Sequence, residues 1–203
     1  MDFLKREYHS WKHVTGVAHD ARALALDAKL SEHWVNNILI ACYFHDVGLH
    51  IGSRGHEMES ARIARDFLRN KIDAGRIEEI CSLIHATQLS KSPQNIHEMI
   101  MRDADLAYAG KSWEAFDYWS RALFREWSAT REFEGSKLDW MARTHKFFSK
   151  HAYFTDYANR RWAHAKSRNL AVLNNDVQRL RSGKKWLKVK QEKPKKPRNN
   201  PKK

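Results

Sequence analysis

The sequence predicts an all-α protein, folded as a single-domain helical bundle, and three observations lead to that prediction. Apolar residues recur at helical spacing through most of the chain, and no stretch alternates apolar and polar residues as a strand would. Glycine and proline are scarce, with 8 and 4 among 203 residues. The length also suits one domain with a sizeable hydrophobic core.

The periodicity places nine helices along the chain. Ser31 is a typical N-cap residue, and Pro93 favours a helix start just after it. Residues 48–55, read GLHIGSRG, are a glycine-rich loop. The tryptophans after residue 112 are most simply core residues, because aromatic side chains at helical spacing usually pack; the alternative is a platform on which bases stack, which no feature of the sequence supports. The predicted helices span residues 3–15, 17–30, 32–47, 56–70, 75–88, 94–109, 112–131, 137–151 and 155–181.

The positive charge is concentrated at the C-terminal end. The chain carries +13, and residues 184–203 hold ten Lys/Arg against one acid, Glu192. We therefore predict a domain over residues 1–182 and a disordered basic tail over 183–203. Such a tail either keeps the protein soluble or binds nucleic acid or another polyanion nonspecifically, by neutralising phosphates.

The sequence favours a cytoplasmic protein. The start, MDFLKREYHS, lacks the apolar segment of a signal peptide, and no apolar run is long enough to span a membrane. The two cysteines, Cys42 and Cys81, lie in apolar helical contexts without a CxxC spacing, which is typical of reduced core thiols in an intracellular protein.

The segment that carries the chemistry is Ile38–Gly48, read ILIACYFHDVG. Seven apolar residues run directly into His45-Asp46. A helix that is apolar on every side is buried, and a buried charge is costly unless it is paired or binds a metal. His45 and Asp46 are therefore candidate metal ligands. The alternative is a core histidine and an aspartate that caps the next turn, as we expect for the surface dipeptide His19-Asp20.

Other potential ligands lie on both sides of this segment. His9 and His13 are four residues apart, so one face of the first predicted helix would carry both. Asp103 and Asp105 stand in an otherwise apolar helix, and we interpret Asp103 as a structural acid. Two more histidines complete the set, His56 just after the glycine loop and His85 on a helix face with Cys81.

The order His13, His45-Asp46, Asp105 resembles the ligand pattern of the HD superfamily of metal-dependent phosphohydrolases. The blocks that carry the resemblance, over roughly residues 6 to 175, are YHSWKHV, ACYFHDVG, HEMESARIARDFL, LIHATQ, MIMRDADLAYAG and KFFSKHAYFT. They look like successive blocks of bacterial proteins known as predicted HD superfamily phosphohydrolases. The basic tail lies outside the resemblance.

The resemblance implies an all-α bundle of the HD-domain type, in which His13, His45, Asp46 and Asp105 bind a divalent ion. Imidazole and carboxylate ligands suit Mn, Fe, Co, Ni, Zn or Mg, and the sequence does not select among them. Such an ion lowers the pKa of bound water toward about 7 and draws in phosphoryl oxygens. It would therefore activate the water that attacks phosphorus.

Five further residues receive roles by resemblance or by chemistry. His56 and His85 match positions that hold a second ion in binuclear relatives, with Asp46 between the two ions; the alternative is an N-capping His56 and a core His85. His9 matches the histidine that protonates the leaving oxygen in cyclic-nucleotide phosphodiesterases, although Ser10 replaces their asparagine; the alternative is that His9 only supports a neighbouring metal ligand. Arg54 and Lys91 are candidate phosphate contacts, because guanidinium and ammonium groups bind phosphate.

The sequence thus predicts a metal-dependent phosphohydrolase with one or two ions per chain, acting on a nucleotide-like phosphoester or phosphoanhydride, with Asp46 and His9 as catalytic residues. The alternative is a nucleic-acid-binding protein whose HD site is structural or vestigial. Intact ligands argue against a vestigial site. The loop after His45-Asp46 lacks the acidic pair expected of an alarmone hydrolase, which disfavours that substrate.

Overall fold

The computed structural model describes residues 6–183 and confirms the all-α prediction: this part of the chain contains no strand. Its helices are α1 Trp11–Asp27, α2 Glu32–Phe44, α3 His56–Leu68, α4 Ala74–His85, α5 Ile96–Asp105, α6 Trp113–Ala129 and α7 Lys137–Lys150. The last helix, α8, consists of three consecutive segments, Asp156–Ala158, a π-helical turn Asn159–Ala163, and His164–Arg181. The predicted tail lies outside the described residues, apart from Gly183. None of the described helices is long and apolar enough to cross a bilayer.

The N-terminal part corrects the prediction of two helices over residues 3–15 and 17–30. Residues 6–10 are not helical, and one helix, α1, follows Ser10 at its N-cap. Gly16 lies inside this helix, where buried Val14, Val17 and Ala18 continue the apolar stripe across it. A single glycine costs a helix only about 1 kcal/mol relative to alanine, so the packing of that stripe outweighs it.

The second helix is shorter than predicted and is not buried on every side. It ends at Phe44, so His45 and Asp46 lie in the turn that follows rather than within a helix over 32–47. Tyr43 is 44% exposed, because only one stripe of the segment faces the core. The loop predicted over 48–55 begins as a 3-10 turn, Val47–Ile51.

Two hydrophobic clusters pack the chain. The larger unites α1 to α5 with the start of α8, and the smaller joins α6, α7 and the rest of α8 around residues such as Phe116 and Phe148. Gly110 fits closely between them: a Cβ there would lie 2.3 Å from the Cβ of Trp162. Residues of the helix pair α6–α7 line a cleft together with Asp46 and Asp105, which lie at the ends of α2 and α5.

Two buried charges next to the ligands have structural roles. Arg102 donates hydrogen bonds to the carbonyl oxygens of Ala86, Gln88 and Lys91, and so holds the loop after α4. Asp103 accepts hydrogen bonds from the backbone of Phe154 and from the backbone and hydroxyl of Thr155 at the start of α8. These bonds fix the C-terminal half of α5, whose last residue is Asp105.

Candidate metal centre

Three elements bring the predicted ligands together. His13 comes from the first turn of α1, His45 and Asp46 from the turn after α2, and Asp105 from the end of α5. One ligand atom from each of His13, His45 and Asp105 lies within 4.8 Å of the others. Asp46 adjoins this group, because its Oδ2 is 3.0 Å from Nε2 of His45 and 3.5 Å from Nε2 of His13.

The separations suit a shared cation better than hydrogen bonds. Asp105 Oδ1 lies 3.4 Å from His13 Nε2 and 3.5 Å from His45 Nε2, which is beyond the usual hydrogen-bond range. Bonds of about 2.1 Å from an ion to N and O ligands place neighbouring ligand atoms about 3.0 Å apart in an octahedron and about 3.4 Å apart in a tetrahedron. The observed distances match those edges.

The buried ligand atoms are also oriented and unpaired. His45 Nδ1 lies 2.7 Å from the carbonyl oxygen of Cys42, so an Nδ1–H donates there and the lone pair of Nε2 faces the cluster. Among the described residues, His13 Nε2, His45 Nε2 and Asp46 Oδ2 have no hydrogen-bond partner. Buried polar atoms are rarely left unpaired, so this donor set fits a divalent ion.

The carboxylates perturb the imidazoles strongly. Burial alone would lower the pKa of His13 and of His45, but the adjacent carboxylates of Asp46 and Asp105 outweigh it and raise both. Burial would raise the pKa of Asp46 and of Asp105, and the histidines lower both. Protons and a cation therefore compete for the same atoms, and metal affinity falls as pH falls.

His56 stands beside the cluster, and His85 does not. His56 begins α3, with Nδ1 2.8 Å from the carbonyl oxygen of Ser53 and Nε2 3.5 Å from Oδ1 of Asp46. Asp46 therefore has one oxygen toward His13 and His45 and the other toward His56. His85 lines a separate cleft with Lys91, and burial lowers its pKa.

We expect His56→Ala and His85→Ala to behave differently. If His56 is a metal ligand, its loss should reduce bound metal from about two ions per chain toward one. If His56 only supports the ligand Asp46, its loss should lower activity up to ~100-fold. His85→Ala serves as the matched control. Elemental analysis and steady-state rates on both variants test this, and equal behaviour of the two would return His56 to a capping role.

Gly48 positions His56 against Asp46. Its backbone N–H donates to Ser60 Oγ at 2.9 Å, and a Cβ at this position would lie 2.3 Å from the carbonyl oxygen of His56. The turn after Asp46 and the first turn of α3 therefore touch backbone to backbone, which only glycine permits.

Gly48→Ala should destabilise the fold by about 1–3 kcal/mol, because overpacking forces the backbone apart. It should also separate His56 from Asp46 and lower any metal-dependent activity. Gly16→Ala is the matched control: nothing lies within 4 Å of its added Cβ, so a helical alanine should stabilise by about 0.5–1 kcal/mol. Thermal unfolding of both variants measures the effects, and equal stability would refute the close-packing argument.

His9 is held beside the cluster by Glu126, a buried acid of α6 that the sequence reasoning missed. His9 Nδ1 lies 2.5 Å from Glu126 Oε1, and the backbone N–H groups of Tyr8 and His9 donate to Oε2. Arg6 donates to Oε1 at 2.8 Å. Burial would raise the pKa of Glu126, but His9 and Arg6 lower it to about 2.

The structure corrects the prediction that His9 and His13 share one helix face. The role of His9 as a general acid stays a prediction. His9 precedes α1, so it does not share a helix face with His13, although the two ring centroids are 6.0 Å apart. With Nδ1 on Glu126, His9 can carry a proton on Nε2. The sequence did contain a signal for Glu126: it continues the buried stripe of α6 that holds Phe116 and Ala122.

A cleft of about 220 Å³ gives access to the cluster. One end has polar residues, His9, Asp46, His56 and Asp105, and the other is walled by aromatic and aliphatic residues of α6 and α7. Arg54, an exposed loop residue, is not among the residues that line the cleft. The remaining lining residues are Tyr8, Glu57, Thr87, Leu89, Leu106, Tyr108, Leu123, Trp127, Trp140, Arg143, Thr144, Phe147 and Phe148.

Comparison with known proteins agrees with this geometry. The sequence model of the HD domain matches residues 10–109, which include all four clustered ligands. Solved structures also match; one is a predicted HD superfamily hydrolase from an uncultured Thermotogales bacterium, at 17% identity and a TM-score of 0.52, over 90% of this chain and 84% of that chain. No protein of curated function matches.

The sequence match and the fold lead to one assignment. The matched residues supply the buried histidine–aspartate cluster, whereas α6, α7 and α8 lie outside them. Of these three helices, α6 and α7 contribute residues that line the cleft. At 17% identity the structural neighbour bears on the fold alone. The chain is therefore an HD-domain protein, with its domain over residues 10–109 and a cluster of His13, His45 and Asp105 that could hold a divalent metal.

Proposed function

We propose that this protein is a metal-dependent phosphohydrolase that cleaves a nucleotide-like phosphoester or phosphoanhydride. The observation that carries the proposal is the buried His–Asp cluster, which opens into a cleft through Asp46 and Asp105. The match of residues 10–109 to the HD domain supports it. An oxyanion-rich phosphate is the substrate that a cation at this place would attract.

A divalent ion held by His13, His45, Asp46 and Asp105 would supply a Lewis acid for phosphoryl oxygens and an acidified water. The second oxygen of Asp46 faces His56, which leaves the cleft side of the carboxylate available to a second ion or to the incoming substrate. His9, with Nδ1 on Glu126, would donate the proton of Nε2 to the leaving oxygen. A general acid of this kind contributes about 10²–10⁴-fold.

Which positively charged side chains contact the substrate is a separate proposal. Arg54 and Lys91 are still predictions as phosphate contacts, but both are exposed and neither lines the cleft at the cluster. Arg143 of α7 does line it. A positively charged side chain within the cleft is therefore supplied by α7 rather than by the loop after α2.

The decisive experiment is phosphate release from a panel of nucleoside mono-, di- and triphosphates and cyclic nucleotides, with each divalent metal in turn. We expect turnover of at least one class that stops with chelator and returns with added metal. No turnover of any class by metal-loaded protein would contradict the proposal.

The basic C-terminal residues favour a second candidate, nonspecific binding of nucleic acid. Residues 184–203 carry +9 of the +13 net charge and none of the clustered ligands. We expect a chain truncated after Ser182 to keep its hydrolysis of small nucleotides, and to lose any binding to long nucleic acid together with its salt dependence. A large fall in small-substrate turnover, with metal content intact, would instead place the tail at the active site.

A further inference from the structure

The apolar end of the cleft has a rigid aromatic wall. Trp140 Nε1–H donates to the backbone oxygen and to the hydroxyl of Ser120, at 3.0 and 3.1 Å, which fixes the indole. Trp127 packs edge-on against it, with ring centroids 5.6 Å apart at 83°. Phe147 and Leu123 extend the wall toward the opening. A wall that is already fixed loses little conformational freedom when a ligand binds.

Arg143 adds a planar cation to this wall. Its Cζ lies 5.2 Å from the ring centroid of Trp127 and 5.9 Å from that of Trp140, so the guanidinium is held by the indoles. The side chain is exposed, and none of the ion pairs among residues 6–183 includes it. The aromatic rings, rather than an acidic side chain, therefore orient the guanidinium of Arg143.

From these contacts we propose that the aromatic end binds the base of a nucleotide, while the phosphate lies at the His–Asp cluster. A base offers a π-face that stacks on the aromatic wall or on the guanidinium that lies over it, and ring acceptors for the Arg143 donors. An alkyl group would fill the apolar wall equally well but would leave those donors facing carbon. The inference rests on the proposed function, because it assigns the non-phosphate part of the same substrate.

The test compares two substrates that share the phosphate and the sugar. We expect full-length protein to prefer adenosine 5′-monophosphate, or another nucleoside 5′-phosphate, to ribose 5-phosphate in kcat/KM. Because stacking contributes a factor of about ten or more per base, Trp127→Leu and Arg143→Ala should each lower that preference about tenfold. Trp11→Leu is the matched control, since this indole is 72% exposed and stacks only on Tyr43 among its ring contacts.

Binding of free nucleosides separates this inference from the proposed function. Calorimetric titration with adenosine, guanosine, cytidine and uridine needs no phosphate and no turnover. Nucleoside binding that is lost in both variants would support the base site even if no phosphate ester were hydrolysed. Equal kcat/KM for nucleotide and ribose phosphate, or an unchanged preference in Arg143→Ala, would overturn it. Arg143 is exposed, so this variant folds even if Trp127→Leu does not.

Discussion

Asp46→Asn should strip the protein of bound metal and reduce hydrolysis about 1,000-fold or more. Asp46 is 5% exposed, and its two oxygens face His45 and His13 on one side and His56 on the other. A bound ion contributes several kcal/mol to the transition state, and each 1.4 kcal/mol is about tenfold in rate. Asparagine keeps the shape but loses the charge, so the effect reports on metal binding rather than on packing.

The chain offers a matched control in its other His-Asp dipeptide. Asp20, after exposed His19 on α1, pairs with Lys111 Nζ at 2.6 Å and touches none of the clustered ligands. Asp20→Asn should keep metal content and turnover. Elemental analysis after purification without chelator, together with circular dichroism, measures both variants. Wild-type protein free of metal, or Asp46→Asn that retains it, would refute the metal-centre assignment.

Glu126→Gln should cost about 3 kcal/mol of stability and also slow any hydrolysis. Removing one partner of a buried ion pair typically costs about 3–5 kcal/mol, and Arg6 is buried with Glu126. His9 would at the same time lose the acceptor that fixes its ring, which we expect to lower kcat about 10- to 100-fold. His9→Gln and the double variant should then show activity losses that do not add.

The stability effect has a defined pH dependence. Glu126 has a pKa of about 2 in the folded chain against an ordinary 4.5, so the unfolded chain binds the extra proton between these values. The stabilisation is complete above about pH 4.5 and is lost as pH falls toward 2. Glu126→Gln lacks this pH-dependent stabilisation. The difference in the free energy of unfolding between the variant and the wild type should therefore become smaller as the pH falls.

Glu7→Gln is the control for this prediction. Glu7 pairs with Arg125 on the surface, where both side chains are about half exposed, at 48% and 49%. Exposed pairs contribute about 0–1 kcal/mol, so this variant should unfold within that margin of wild type. Denaturant unfolding between pH 3 and pH 8 compares all three proteins. Equal stability of Glu126→Gln and wild type at neutral pH would contradict the role of the buried pair.

His45 and Asp46 could be predicted from the residues alone because they follow an apolar run, where a charged or polar residue is exceptional. His13 and Asp105 lie in segments of mixed polarity, and the resemblance supplied them. The structure brings His13, His45 and Asp105 into one group, as the motif order implies. The all-α fold class could also be predicted, because the helical spacing of apolar residues is repeated in helix after helix.

Helix ends and distant partners were harder to predict. Val47, Leu49 and Ile51 continue the apolar pattern of α2, so periodicity alone does not show that the helix stops at Phe44. Glu126 lies 117 residues from His9 in sequence, and no local pattern links them. The tryptophans follow core spacing whether they face a core or a cleft, so the sequence interpretation of Trp127 as packing missed the cleft that it lines.

The contact between Arg6 and Glu126 spans 120 residues, and this has a consequence during synthesis. All four clustered ligands lie at or before residue 105, and domains generally fold from the N-terminus as they are made. All four ligands are therefore synthesised before α6 leaves the ribosome, whereas the hydrophobic core around them is completed only by the start of α8. Only after residue 126 emerges can the segment that holds His9 dock. The position of His9 beside the cluster is therefore fixed at a late stage of synthesis.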